Sequence, residues 1–236
     1  MKMKRILILE AALLLMAPAM KAQPFKTDIS ADIVSRYVWR GMSLGDVSLQ
    51  PTLGISAWGL SLSAWGNMGI SNPADAKEID LTLAYTIGGF NIGVTDYWVT
   101  GGPDLENRYF RYTSGATNHV FEAAVGYDFG LLAVRWFTNF AGNDALRTDG
   151  RPAFSSYAEL TVPFSLGGAD WTFAAGIVPY ATQYYEAERF ALTNLSLTAS
   201  VDIPVSSSFS LPLFATLAAN PHTRKAFFVV GITLRP

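Results

Sequence analysis

The chain has no cysteine and two histidines, His119 and His222. Without cysteine there is no disulfide framework, no thiol nucleophile and no lipidated N-terminal Cys, so any hold on a membrane must come from the fold. The histidines lie too far apart for a metal-ligand motif, and no metal site is expected. Charge is sparse, at 15 % of residues, and basic residues (17) do not outnumber acidic ones (19). Nucleic acid is therefore not an expected partner. Beyond residue 22 no apolar run approaches the roughly 20 residues that a helix needs to cross a bilayer, and no stretch of helical period is long enough for a helix of consequence. No phosphate loop, nucleotide fingerprint or internal repeat appears, so no cofactor is expected.

What is present begins with an export signal. Lys2, Lys4 and Arg5 precede an apolar run from Ile6 to Met16, interrupted by Glu10, and small residues follow at Ala17-Pro18-Ala19 and at Ala22. This pattern predicts a secretory signal peptide over 1–22, cleaved after Ala22, with Ala19 the alternative, and a single domain over 23–236. The segment loses Lys2, Lys4, Arg5, Lys21 and Glu10, which leaves 13 basic and 18 acidic residues and a net charge near −5.

The segment Asp32-Ile33-Val34-Ser35-Arg36-Tyr37-Val38-Trp39-Arg40-Gly41 organises the rest. At period 2 it separates Asp28, Ser30, Asp32, Val34, Arg36, Val38 and Arg40 from Ile29, Ala31, Ile33, Ser35, Tyr37 and Trp39. A soluble sandwich strand also alternates, but its charged face rarely carries four ionic groups in step with an aromatic end on the other face. A membrane barrel predicts both, with lipid outside and a polar lumen inside. The motif Asp32-x-Val34-Ser35-x-Tyr37-Val38-x-Arg40-Gly41 resembles that of the TorF-type family of Gram-negative outer-membrane porins. The resemblance continues through Asn118-His119-Val120-Phe121-Glu122 and Tyr157-Ala158-Glu159, and it implies an outer-membrane β-barrel.

Alternating or apolar segments recur along the chain and predict an all-β, closed antiparallel transmembrane barrel of about 12 strands, near 28–40, 48–58, 60–68, 77–87, 90–100, 119–129, 131–141, 153–164, 169–178, 190–203, 208–219 and 226–235. Tight turns at Gly59, Gly88-Gly89, Gly130, Ser165 to Gly168 and Pro204 to Ser207 take turns with mostly longer, polar connections, as periplasmic turns and extracellular loops do. Aromatic residues gather at both strand ends, which predicts Trp58 and Trp171 in an inner girdle and Trp39 and Trp65, with Tyr37, Tyr97, Trp98 and Phe140, in an outer one. Two departures stand out. The chain closes on Leu234-Arg235-Pro236 rather than an aromatic residue, and Pro51, Pro163 and Pro212 fall within or at the end of strands, where each removes a ladder donor.

A basic residue facing hydrocarbon at mid-depth costs about 2–4 kcal/mol, so strand charges are expected inside. This places Asp32, Arg36, Arg40, Glu78, Asp80, Glu122, Arg135 and Glu159 on the lumen, either lining a pore or pairing to fill it. The loops from Pro103 to Tyr112 and from Tyr180 to Arg189 offer Arg108, Tyr109, Arg111, Tyr112, Tyr184 and Tyr185 as binding candidates, or as caps and plugs of the barrel mouth. Catalysis would need a positioned base. His119, near Asp96 on the neighbouring strand, is the tempting one, but serine is simply abundant here and no triad follows. The first expectation is thus a non-enzymatic, passive outer-membrane channel, with lipid, small polar or charged solutes and the barrel assembly machinery as partners. The second, from another class, is a non-conducting barrel that binds a ligand or partner through its loops. An outer-membrane hydrolase comes third.

Overall fold

The computed structural model describes residues 25–72, 74–113, 115–206 and 209–236; the expected signal peptide over 1–22 lies outside them. Fourteen strands form, in chain order β1 (Lys26–Val34), β2 (Tyr37–Trp39), β3 (Met42–Gly45), β4 (Ser48–Ala57), β5 (Leu60–Gly69), β6 (Glu78–Ile87), β7 (Phe90–Val99), β8 (His119–Asp128), β9 (Ala133–Gly142), β10 (Ser156–Leu166), β11 (Ala169–Val178), β12 (Ala191–Pro204), β13 (Ser210–Asn220) and β14 (Lys225–Leu234). Twelve of them close into one antiparallel barrel, each pairing with its neighbours in sequence, and β2 pairs with β3 as a separate hairpin. The seam joins β1 to β14 over Ala31–Val34 and Gly231–Leu234. Closure leaves the barrel without a free sheet edge, so each of its strands has a neighbour on both sides for its backbone groups.

Period-2 sequence sets the two faces. On β6, Ile79, Leu81, Leu83 and Tyr85 point outward and are all exposed, Leu83 by 52 %, while Glu78 and Asp80 point into the lumen. Neighbouring strands repeat the pattern with Leu53, Ile55, Leu62, Ile92 and Val94 outside. At the tight-turn rim Trp171 stacks on Phe164 and Trp58 meets Phe25 edge-on, where the inner girdle was expected. Gly88-Gly89 turn with φ of 53° and 86°, the left-handed pair that a two-residue hairpin requires. The prolines sit where a ladder donor is not needed. The β4–β5 ladder lapses at Pro51, Pro163 lies past the end of the β9–β10 pairing, and Pro212 lies before the start of the β13–β14 pairing.

The first strand departs from expectation. Read from sequence it runs over 28–40, whereas β1 ends at Val34 and residues 35–47 turn into the barrel. Ser35 makes the break. Its N–H donates to the Val230 carbonyl, and its side-chain oxygen accepts from the Val230 N–H in place of its own carbonyl. The freed backbone forms the β2–β3 hairpin, with Trp39 opposite Met42. Arg40 and Gly41 make its turn at φ of 49° and 79°, and Arg40 takes a conformation costing a residue with a side chain about 1–2 kcal/mol.

Gly41 is constrained twice, because a Cβ there would overlap the Thr193 carbonyl oxygen. Gly130 shares the positive φ but has open space around it. Gly41→Ala is therefore expected to lower barrel stability by about 2–4 kcal/mol, against about 1 for Gly130→Ala, in urea unfolding from lipid vesicles.

Candidate functional site

The hairpin delivers Arg40 to the middle of the lumen, where its side chain is 7 % exposed and faces Glu122, 2 % exposed, on β8. The pair is bidentate: Nη1 donates to Glu122 Oε2 at 2.6 Å and Nη2 to Oε1 at 2.9 Å. Tyr97 on β7 donates its hydroxyl to the same Oε1 at 2.9 Å, and Arg40 Nη1 also donates to the Tyr185 hydroxyl. The guanidinium carbon lies 4.1 Å from the centre of the Phe137 ring, 4.3 Å from Trp39 and 4.6 Å from Tyr157. Burying a guanidinium and a carboxylate costs several kcal/mol each, roughly, unless geometry and further hydrogen bonds compensate. Here the fork, the tyrosine donor and the aromatic faces all do so.

A second inward segment meets the hairpin. Residues 179–190 fold over it through a short 3-10 turn at Gln183–Tyr185, which Thr182 caps by accepting from the Tyr184 N–H. Tyr185 is buried, stacks on Trp39 at 6.0 Å and packs with Tyr157, Val178, Ala187 and Ala191. The wall tolerates this because Gly176 leaves room for the Tyr157 hydroxyl. Asn220 Nδ2 holds the Gly41 carbonyl at 3.2 Å from the opposite wall.

The eight expected lumen residues separate into groups. Glu122 and Arg40 form the central pair. Arg36 sits at the hairpin's half-exposed base, 3.2 Å from Asp46 and in hydrogen-bond contact with Ser43. Asp32 accepts from the Thr233 hydroxyl across the seam at 2.6 Å. Glu78 and Asp80 share the inner face of β6. Arg135 and Glu159 are cross-strand neighbours deeper in the barrel, with Glu159 accepting from Tyr157 at 2.8 Å.

The outer aromatic girdle needs correcting. Tyr37, Trp39, Trp65 and Tyr97 face the lumen, with Tyr37 packed on Trp65 at 5.5 Å and Trp39 on Tyr97 at 5.9 Å. Trp39 was misplaced because strand parity was carried past the break at Ser35. Tyr97 was readable: it is in step with Asn91, Gly93 and Thr95, opposite in phase to Ile92 and Val94.

The loop candidates divide as well, with Tyr184 and Tyr185 inside the barrel mouth and Arg108, Tyr109, Arg111 and Tyr112 on the outer wall. His119 does meet Asp96, Nδ1 to Oδ1 at 2.7 Å, but on the face shared with Ile92 and Val94. Its Nε2 faces the Tyr109 carbonyl, and Tyr109 and Tyr112 pack against its ring. Both ring nitrogens are thus taken up by acceptors, and the residue straps loop 101–118 to the wall. Buried Asp104 organises that loop, accepting from the Arg108 backbone N–H at 3.0 Å, the Arg108 guanidinium at 3.1 and 3.2 Å, and Arg111 at 3.0 Å.

No family model matches the chain, and no curated protein matches it. Among solved structures it is similar to the NanC porin, at 8 % identity and a TM-score of 0.44, over 89 % of this chain and 100 % of that one. It is also similar to an outer membrane channel from Pseudomonas putida F1, at 13 % identity and a TM-score of 0.39, over 92 % and 97 % of the two chains. CdiB from Acinetobacter baumannii aligns at 11 % identity and a TM-score of 0.39, over 89 % of this chain and 59 % of its own.

The hydrogen bonds from Arg108 hold the Asp104 carboxyl down at about 2. A carboxyl whose folded value lies below its unfolded one stabilises fully above the unfolded value, about 3.9. That contribution is lost as pH falls through the folded value. Loop 101–118 is therefore expected to hold its protection against hydrogen exchange at pH 4 and above and to lose it between about pH 4 and pH 2. Asp104→Asn should open the loop even at pH 7, read as faster tryptic cleavage after Arg108 and Arg111.

Proposed function

We propose that this protein is an outer-membrane β-barrel, exported by a signal peptide over 1–22, that acts as a narrow passive channel for small polar or charged solutes. An exposed apolar belt of this size, with charges confined to the inside, suits lipid rather than water. The observation that carries the channel reading is the lumen itself, which bears charges of both signs and remains partly open. Below the hairpin a cavity of about 210 Å³ is bordered by Arg36, Arg40, Gln50, Asn194 and Ser196. Twelve strands lie between barrels that hold little more than side chains and those that enclose an aqueous channel, so the inserted hairpin is the element that limits passage. The resemblance of the Asp32 to Gly41 motif to TorF-type porins points the same way. No chemical step belongs to this reading, since the His119–Asp96 pair serves the loop.

A second reading is favoured by one observation. Trp39, Tyr185 and the Arg40–Glu122 pair fill the mid-lumen, as in a barrel that binds without conducting.

Planar-bilayer conductance separates the two. Purified, folded protein is expected to give small discrete steps, and replacing residues 36–46 by a short glycine linker should enlarge them at least about twofold. Arg36→Gln should shift selectivity toward cations, because it removes positive charge from a narrow lumen. A silent wild type whose loop-deleted form conducts would establish the second reading instead.

A further inference from the structure

The mouth of the barrel holds a second cavity, of about 330 Å³, between the hairpin, the rims of β6 and β7, and the turn at 183–186. Its walls include Tyr37, Trp39, Tyr97 and Tyr184, and its carboxylates are Glu78 and, at the entrance, Glu186. The Trp39 ring meets Tyr97 and Tyr184 edge-on, at 5.9 and 6.3 Å, so the aromatic surfaces stand at angles around one space rather than stacking it shut.

The acids at this site have no cationic partner among the described residues. Glu78 is 9 % exposed, and Asp80 stands next to it on the same face of β6 with one carboxylate oxygen, Oδ1, buried and without a hydrogen-bond partner. Among the described residues no ion pair involves Glu78, Asp80 or Glu186, whereas Glu122 has both terminal nitrogens of Arg40. Tyr37 and Asp80 stand within hydrogen-bond reach of Glu78, which orients the carboxyl group but adds no positive charge.

We propose that this cavity binds an organic ammonium ion, its N–H groups on the buried Glu78 carboxylate and its carbon skeleton against Trp39, Tyr97 and Tyr184. Aromatic faces attract a desolvated cation through their quadrupoles, and a buried carboxylate such as Glu78 gains most from a charged N–H donor. An anion is repelled by the same carboxylates. Calcium, which takes about six to eight oxygens, finds too few here among apolar walls. The site does not depend on conduction, because a barrel that never opens still presents its mouth.

The test is isothermal calorimetry on the full-length, detergent-solubilised protein with tyramine and with tyrosol, its neutral counterpart bearing a hydroxyl in place of the ammonium. Saturable binding of tyramine, at least about tenfold weaker for tyrosol, is the expected result. Equal binding of both, or binding of neither, overturns the proposal without any variant being needed. Glu78→Gln, shown to be folded by its heat-modifiable gel mobility, should weaken tyramine binding by about tenfold or more and leave tyrosol unchanged. Glu78→Gln protein that binds tyramine as the wild type does would also overturn it. Because the readout is binding in micelles, failure here leaves the channel reading standing, and a silent bilayer leaves this one standing.

Discussion

One contact between two charges, Arg40 on the hairpin and Glu122 on β8, fixes how the interior of this barrel is used. Neither group tolerates burial alone, and each is satisfied by the other. The chain contributes to the contact from four directions: the hairpin brings the guanidinium, β8 the carboxylate, β7 the Tyr97 hydroxyl, and the 179–190 segment Tyr185. Arg40 also holds an unfavourable positive φ, which its side-chain contacts offset. With the pair in place the hairpin cannot lie along the wall. The lumen is then divided into a cavity beneath the hairpin and another at the mouth.

Much of the wall was legible in the sequence because two periodic signals agree. Alternation at period 2 located the strands, and glycine-rich turns located their ends. Eleven of the twelve expected barrel strands accordingly match the observed ones to within three residues at either end. The inward placement of Glu78, Asp80, Glu122, Arg135 and Glu159 followed from the cost of charge in hydrocarbon. The hairpin was not legible, for a physical reason. Asp28, Asp32, Arg36 and Arg40 stay in step on one face on both sides of the break, so parity has nothing to register where Ser35 substitutes a side-chain oxygen for its own carbonyl. Arg40 was therefore expected near a lumenal carboxylate and is found there, though it arrives on a loop folded inward rather than on a strand.

The motif Asp32 to Gly41 takes on a structural meaning in this light. Asp32 binds across the seam, Ser35 ends the strand, Tyr37 packs on Trp65, Arg40 reaches Glu122, and Gly41 supplies a turn that comes too close to Thr193 for any Cβ. Short seam pairing over Ala31–Val34 makes this region the point at which closure and plugging are decided together. By contrast, His119 and Asp96 were legible as neighbours, and period 2 sets both on the outer face. His119 pairs with Trp98 and Phe121 with Asp96, in alternation with the lumenal Thr95–Glu122 pair, and the β8–β9 register shift places its extra residue, Phe140, on β9 and leaves the faces of β8 unchanged.

The claim that this buried pair holds the interior is tested most directly by a double-mutant cycle on Arg40→Met and Glu122→Gln, with stability read by urea unfolding from lipid vesicles. Each single change should cost about 3–5 kcal/mol, since each removes one partner of a buried pair. The double variant should recover a large part of the loss, giving a coupling energy of about 2 kcal/mol or more. Losses that simply add would contradict the account, because the two side chains would then not depend on each other in the folded protein.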